Sequence, residues 1–515
     1  MKGLQQRGER RIAAALRIAL VVVLLLLQIG VVVLLAYLLQ QRAAIVYALL
    51  QIAGLIVAIL IYNRRGDAMY KFSWIILILT APVIGLILYL LWGGNTQRRR
   101  LVRTTPRRAE EPESVRTRSE RNADKLSRVM PQWARLANSL RCRDFLLFQD
   151  TQAAYIPDGR RFLEEIIERC AHAEHFIFLE YFILAEGKLW DRLSDILREK
   201  AGAGVEVKVI FDDFGNIKRF RGETLEQLRA AGVEVKIFNP VHKYVNRLYF
   251  NYRDHRKIAC VDGDIAYTGG VNVADEYANL VKRFGYWKDS GVRLEGDGAW
   301  GLTAAFIEMW RFLGGETHHE RDYYRPHTAV RADGWCQIFT DGPQNNPDNP
   351  AEDVYLQLFA NARRLLYITT PYFVPDDNIM RALCVAGDGG VDVRLMLPGI
   401  PDKRYAWLVA DSFLGELLEH GVKVYRYTPG FLHQKTVMVD REAAFVGSVN
   451  MDYRSFQLHY ECGAVLYGSA AVEELLEDMD DIIEKSRQIA PEEWRKRKWY
   501  RRAIEPFLRI FAIWM

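Results

Sequence analysis

The chain has little cysteine. Cys142, Cys170, Cys260, Cys336, Cys384 and Cys462 are scattered over 515 residues with no CxxC pair. That distribution argues against zinc ligation or a disulfide framework and suits reduced core residues of a cytosolic domain. A large excess of one charge is also missing. The formal net charge of +5 is too slight to indicate nucleic acid by itself, and the basic residues gather near the apolar start and the C-terminus, as suits an anionic lipid surface. Metal-ligating sets are scarce too. His318 and His319 are adjacent, but only Glu316 and Glu320 accompany them, so no metal site is expected.

Long apolar runs, by contrast, fill the first 95 residues, at 18–39, 43–62 and 74–92. Each is close to the roughly 20 residues that a helix needs to cross the hydrocarbon core. The first is too long, and too closely followed by a second, for a cleaved signal peptide. Basic residues flank every run: Arg7, Arg10 and Arg11, then Arg64, Arg65 and Lys71, then Arg98, Arg99 and Arg100. Three full crossings would place some of these outside. A crossing hairpin from the first two runs, with the third tilted or re-entrant at Pro82 and Gly85, keeps all three clusters cytoplasmic. Residues 96–139 then read as a charged linker. The final stretch, 491–515, is basic and aromatic, with Trp494, Trp499, Phe507, Phe511 and Trp514, and fits either an interfacial anchor or a packing helix.

One short pattern occurs twice. His255, Lys257 and Asp262 stand in HRKIACVD, and His433, Lys435 and Asp440 in HQKTVMVD. The apolar residues between Lys and Asp predict a short buried strand, so His and Lys share one face. Asp lies an odd number of positions from both and falls past the strand end, where it orients or braces. A lone HxKxxxxD would be weak evidence. Here each copy is followed by a small-residue pair and an asparagine, Gly269-Gly270 with Asn272 and Gly447-Ser448 with Asn450. An imidazole beside an ammonium suits phosphoryl chemistry: the amine neutralises a phosphate oxygen while the imidazole attacks phosphorus or moves a proton.

The pattern sits inside a longer repeat. In both halves a strand, helix, strand, helix and strand precede the His-Lys strand, with HFIFLEYFIL, GVEVKVIFDD and GVEVKIFNP answered by RLLYITTPYFVPDD, GVDVRLMLPG and GVKVYRYTPG. This alternation predicts an α/β fold with a helix-covered sheet in each half. The halves are expected at 140–330 and 331–490, facing each other so that His255 and His433 reach one phosphorus. Tyr181-Phe182 and Tyr372-Phe373 hold matching repeat positions, as core or as cleft lining.

The paired motifs with trailing GGxN and GSxN resemble the phospholipase D superfamily. NYRDHRKIACVDG, YWKDSGVRLEG, TTPYFVPDD, FLHQKTVMVD and GSVNMDYRSFQLHYE resemble its bacterial cardiolipin synthase branch. The resemblance implies two phospholipase D-like domains related by a pseudo-two-fold behind N-terminal transmembrane helices, multi-pass in the bacterial inner membrane with the catalytic domains cytoplasmic. It implies phosphatidylglycerol as donor and acceptor, giving cardiolipin and glycerol, with both histidines essential and Asp262 and Asp440 part of the site. The run at 18–39 is an addition to the usual two segments. The groups themselves suit double displacement through a phosphohistidine, with Lys257, Lys435, Asn272 and Asn450 on the phosphate oxygens and no cofactor. A phospholipase D-type hydrolase and a non-catalytic scaffold are the competing readings, and membrane segments weigh against a nuclease. The choice of nucleophile and the oligomeric state stay open.

Overall fold

The computed structural model describes residues 30–31, 41–64, 68–93, 111–217, 219–240, 252–318, 321–328, 330–346, 348–499, 504–505 and 508–509. The apolar run at 18–39 apart from residues 30–31, the basic stretch 98–108, His319, Glu320 and the aromatics Phe507, Phe511 and Trp514 lie outside the described residues.

The second apolar run forms the helix Gln41–Tyr62. Among the described residues it is the one helix long and apolar enough to cross a membrane, and only 17% of its window Ile45–Tyr62 is buried. The third run is not one span. Pro82 has no N–H to continue the ladder, and the chain breaks at Ala81 (φ −134°) between the helices Ala68–Thr80 and Pro82–Leu88. The short second piece folds back closely, for a Cβ on Gly85 would lie 2.6 Å from the Ile78 Cα. Arg64, before this hairpin, donates to the Tyr89 hydroxyl just after it at 2.6 Å, so both ends lie at one level.

The expected linker is shorter than composition suggested. The chain is helical over Glu113–Val129 and Ala134–Arg141, and Ala123, Leu126, Trp133, Leu136 and Leu140 join a core with Trp335, Phe339 and Val354. The buried face of the first helix is partly polar, which hid it. Asn122 donates to the Leu147 carbonyl at 3.0 Å, and Ser119 Oγ accepts from Leu147 N at 2.9 Å, so these side chains satisfy an edge strand.

Two mixed sheets follow. The seven-stranded sheet runs Thr151–Ile156, Gly291–Gly296, Ile265–Gly269, Lys257–Val261, Phe176–Tyr181, Glu206–Asp212, Glu234–Phe238. The ten-stranded sheet has the main path Leu147–Phe148, Trp335–Asp341, His459–Tyr467, Ala443–Gly447, Thr436–Val439, Leu365–Thr369, Asp392–Pro398, Lys423–Tyr427, Ser486–Gln488. In each, the HxK strand lies antiparallel to the strand that opens its copy of the repeat, Phe176–Tyr181 or Leu365–Thr369. The sheets share one core, in which Phe178, Ile258 and Cys260 meet Met438, Val446 and Cys462 beside the helices Ala299–Phe312 and Ala470–Glu484. Five of the six cysteines are buried and all are free thiols. Trp494 packs on the core of the second half, whereas Trp499 is 78% exposed.

Candidate active site

Backbone pairing brings the two motifs together. Arg253–Asp254, leading into His255, pairs parallel with His459 and Tyr460, leading into Glu461. Gly430–Leu432, leading into His433, pairs parallel with Tyr286–Lys288, leading into Asp289. His255 N donates to the Tyr460 carbonyl at 2.9 Å, and His433 N donates to the Lys288 carbonyl at 2.7 Å. Each histidine is therefore set opposite a carboxylate from the other half of the chain.

The side chains complete this exchange. His255 Nδ1 lies 2.9 Å from Glu461 Oε1, and His433 Nδ1 lies 2.6 Å from Asp289 Oδ2. A carboxylate at Nδ1 favours the tautomer with its proton there, leaving Nε2 free as nucleophile or base. The small-residue pairs make room for these carboxylates. A Cβ at Gly270 would meet Asp289 Oδ1 at 2.2 Å, and at the corresponding position Ser448 donates from Oγ to Glu461 Oε2. Asp289 and Glu461 are the residues that motif reading missed. Both stand in the quoted phrases YWKDSGVRLEG and GSVNMDYRSFQLHYE, but only reciprocal pairing shows which histidine each serves.

Lys257 Nζ donates to the His255 carbonyl at 2.5 Å, and Lys435 Nζ donates to the His433 carbonyl while lying 2.9 Å from His433 Nδ1. Burial, reinforced by Lys257, Lys435, His433 and Lys403, pushes His255 well below the ordinary imidazole range; burial with Lys435, Lys257 and Lys403 does the same to His433. Burial lowers Lys257 to about 8 against the attraction of Glu461, and Lys435 to about 7 against that of Asp289. It raises Asp289 to about 7, with Lys435 opposing. A charge-poor pocket crowded with ammonium groups favours an arriving phosphate anion.

The remaining expectations divide. Asn272 accepts from Ile183 N at 3.1 Å and donates to the Tyr277 hydroxyl at 2.8 Å, and Tyr277 packs edge-on to His433. Asn450 Oδ1 is buried with no partner. Asp262 and Asp440 are not beside the histidines; they lie at the far ends of the HxK strands with φ of 52° and 53°. Asp262 accepts from Glu174, His175 and Phe176 N, Asp440 from Arg363, Arg364 and Leu365 N, all at 2.8–2.9 Å. Each clasps the start of the adjoining strand, a bracing role without contact to the reacting groups. The aromatic pairs are not in register either: Leu184 pairs with Val273, but Phe373 pairs with Met451. Phe182 packs on His255 at 5.2 Å, Tyr372 lies under Lys403 at 4.8 Å, and Tyr181 and Phe373 are core. The ring of His318 stacks on Tyr323. Donor atoms of His255, His459 and Glu461 lie within 4.8 Å of one another, but Glu461 is engaged by His255 and Ser448, so the group reads as a hydrogen-bonded set.

Two His-Lys pairs, each delivered by a mixed sheet and cross-braced by a carboxylate, define a phospholipase D-type protein. The fold is similar to phosphatidylserine synthase of Haemophilus influenzae Rd KW20 (TM-score 0.56, 17% identity, 72% of this chain and 94% of that one). Residues 166–282 and 355–483 match the family described as cardiolipin synthase, PLD-like domain, and residues 49–94 match the phospholipase D-nuclease N-terminal family. Cardiolipin synthase 2 of Bacillus anthracis is 34% identical over 469 residues, 90% of each chain. Major cardiolipin synthase ClsA of Bacillus subtilis (strain 168) is 32% identical over 480 residues, 91% of this chain and 99% of that one. The chain belongs to the cardiolipin synthase family of the phospholipase D superfamily.

Proposed function

We propose that this enzyme is a membrane phosphatidyltransferase that makes cardiolipin and glycerol from two phosphatidylglycerol molecules. The observation that carries the reading is the reciprocal pairing of His255 with Glu461 and of His433 with Asp289 beside two lysines. One imidazole Nε2 attacks phosphorus while the other, protonated, gives its proton to the departing glycerol oxygen. The P–O bond breaks and a phosphohistidine forms. The second imidazole then takes the proton from a hydroxyl of the second phosphatidylglycerol, whose oxygen displaces the histidine nitrogen. Lys257 and Lys435 balance the charge on the non-bridging oxygens, and the remaining amide protons of Asn272 and Asn450 add to this. Residues 140–330 and 331–490 act as two phospholipase D-like domains related by a pseudo-two-fold, with Leu147–Phe148 lent to the second sheet.

The membrane arrangement follows the same logic. Tyr70, at the start of the broken third run, stacks on Tyr453 beside the site, with ring centroids 5.8 Å apart. Together with the Arg64–Tyr89 bond, this supports a re-entrant third run on the catalytic side, with Gln41–Tyr62 crossing the bacterial inner membrane and the catalytic domains cytoplasmic. Labelling of a cysteine placed at residues 64–71 from the outer face would refute this topology.

The activity is tested by incubating the full-length protein with liposomes of headgroup-labelled phosphatidylglycerol. Cardiolipin with free glycerol is the expected result. Phosphatidic acid with glycerol and no cardiolipin would make water the acceptor, and the enzyme a hydrolase.

A further inference from the structure

Beside the histidine pair lies a cation that the chemistry above does not use. Arg454 sits on the short helix Tyr453–Gln457 that follows Asn450. Among the described residues its guanidinium makes no ion pair, and its one side-chain hydrogen bond runs from Nε to His459 Nε2 at 3.4 Å. The adjacent carboxylate of Asp452 attracts it without forming an ion pair, and accepts from Ser455 N at 2.8 Å as a helix cap. The other nearby guanidinium, Arg253, lies 3.4 Å from Asp212 and adds repulsion. Burial, opposed by the attraction of Asp452 and reinforced by the repulsion of Arg253, holds Arg454 below the usual guanidinium range. A largely enclosed guanidinium with no ion-paired carboxylate is costly, and an arriving anion relieves the cost.

His459 connects this cation to the reaction centre. Its ring lies 5.4 Å from that of His255. Its Nδ1 faces Glu461 Oε1 at 3.7 Å, beyond hydrogen-bond length, and the amide oxygen of Asn450 is buried without a partner. Arg454 is thus one imidazole away from the nitrogen set that handles the reacting phosphorus. The acceptor in the proposed reaction carries a phosphate of its own, separated from its attacking hydroxyl by a three-carbon spacer, roughly 5 to 6 Å at ordinary bond lengths.

We propose that Arg454, backed by His459, holds the phosphate of the acceptor phospholipid and so selects an anionic glycerol phosphodiester over water and neutral alcohols. This rests on the transferase reading. A guanidinium suits the task because it meets phosphate oxygens with two parallel N–H donors. Lys257 and Lys435 serve the reacting phosphoryl group, and Lys403 lies over the Tyr372 ring with its charge felt at both histidines, so Arg454 is the cation set to one side.

The test uses the full chain in labelled phosphatidylglycerol liposomes with ethanol present, scoring cardiolipin against phosphatidylethanol. Both products leave one phosphoenzyme, so their ratio does not depend on how much protein is folded. Arg454→Gln is expected to lower the cardiolipin-to-phosphatidylethanol ratio about tenfold or more, with Arg454→Lys intermediate. An unchanged ratio in both variants overturns the assignment. On the wild type alone, glycerol phosphate should outcompete glycerol as a soluble acceptor, and equal use would also overturn it. A wild type that forms phosphatidylethanol but no cardiolipin counts against the transferase reading itself, a separate outcome.

Discussion

The two halves of the site hold the same three groups in different surroundings. His433 lies in an aromatic box, with Tyr277, Trp287 and Phe431 at 5.3, 5.3 and 5.5 Å; its carboxylate, Asp289, fits the space that Gly270 leaves. His255 has Phe182 and His459 at 5.2 and 5.4 Å, and its carboxylate, Glu461, is held by the Ser448 hydroxyl. Trp287 and His459 stand at the same position, two before each carboxylate. Both imidazoles are hydrogen-bonded to a carboxylate, but one is otherwise walled by aromatic rings and the other by a second imidazole and a phenyl ring. Double displacement needs one imidazole neutral and the other protonated, so unlike surroundings around like groups are what the reaction asks for.

Removing either histidine tests whether the halves are equal partners. His255→Ala and His433→Ala are each expected to lower cardiolipin synthesis by about 10⁴-fold or more, and the double variant to be no worse than the poorer single one, because the groups act as a unit. Activity within tenfold of wild type in either variant would falsify the two-histidine scheme. The carboxylates come next. Asp289→Asn and Glu461→Gln remove the charge that fixes each tautomer and should each cost roughly 10²- to 10⁴-fold in kcat. Gly270→Ser should resemble Asp289→Asn, since its Cβ meets the carboxylate; a fully active variant would show that the fit there is loose.

The ammonium groups set a pH limit. Lys435 and Lys257 have pKa values lowered to about 7 and about 8 by burial, so each is charged below its value and neutral above it. As pH rises through this window the site loses positive charge, and kcat/KM for the lipid should fall by up to about tenfold per unit above pH 8. Bound phosphate favours the charged lysines, so the fall should appear at higher pH in kcat. A profile of kcat/KM flat from pH 7 to 10 would mean that the lysine charge does not matter for binding. Both histidines are held below the ordinary imidazole range, so the limb set by protonation of the attacking imidazole lies on the acid side of that range in the free enzyme.

Much of this was legible in the sequence. The repeat announced two helix-covered sheets, Pro82 and Gly85 marked a break in the third apolar run, and Asp262 and Asp440 fall past the strand ends as expected, although His255, His433 and Lys435 lie just before the strands Lys257–Val261 and Thr436–Val439. Two things were not. The partners of His255 and His433 come from the opposite half, and no local pattern encodes pairing between Arg253–Asp254 and His459–Tyr467. The helix Glu113–Val129 buries Ser119 and Asn122 along with Leu126, so its inward face looks solvated. Family likeness also drew Asp262 and Asp440 into the site, although parity alone already placed them outside it. Asp440→Ala, which frees three backbone N–H groups, should therefore destabilise the fold by about 2 kcal/mol in urea titration and change kcat of the folded enzyme less than about threefold. A large loss of kcat at unchanged stability would restore a direct role.

The smallest expected effect sharpens the comparison most. Ser448→Gly gives the second half the residue that the first half has at Gly270, but not its consequence. Asp289 Oδ1 receives a backbone bond from Ser290 N at 2.9 Å, whereas Glu461 Oε2 relies on the Ser448 hydroxyl besides His255. With that hydroxyl gone, Glu461 keeps its place opposite His255 through the pairing of His459–Tyr467 but loses one donor, a net term of about 1 kcal/mol. The expected result is a three- to tenfold fall in kcat, recovered in Ser448→Thr. Wild-type turnover in Ser448→Gly would show that backbone pairing alone positions Glu461, and the two half-sites would then differ only in the rings packed against their histidines.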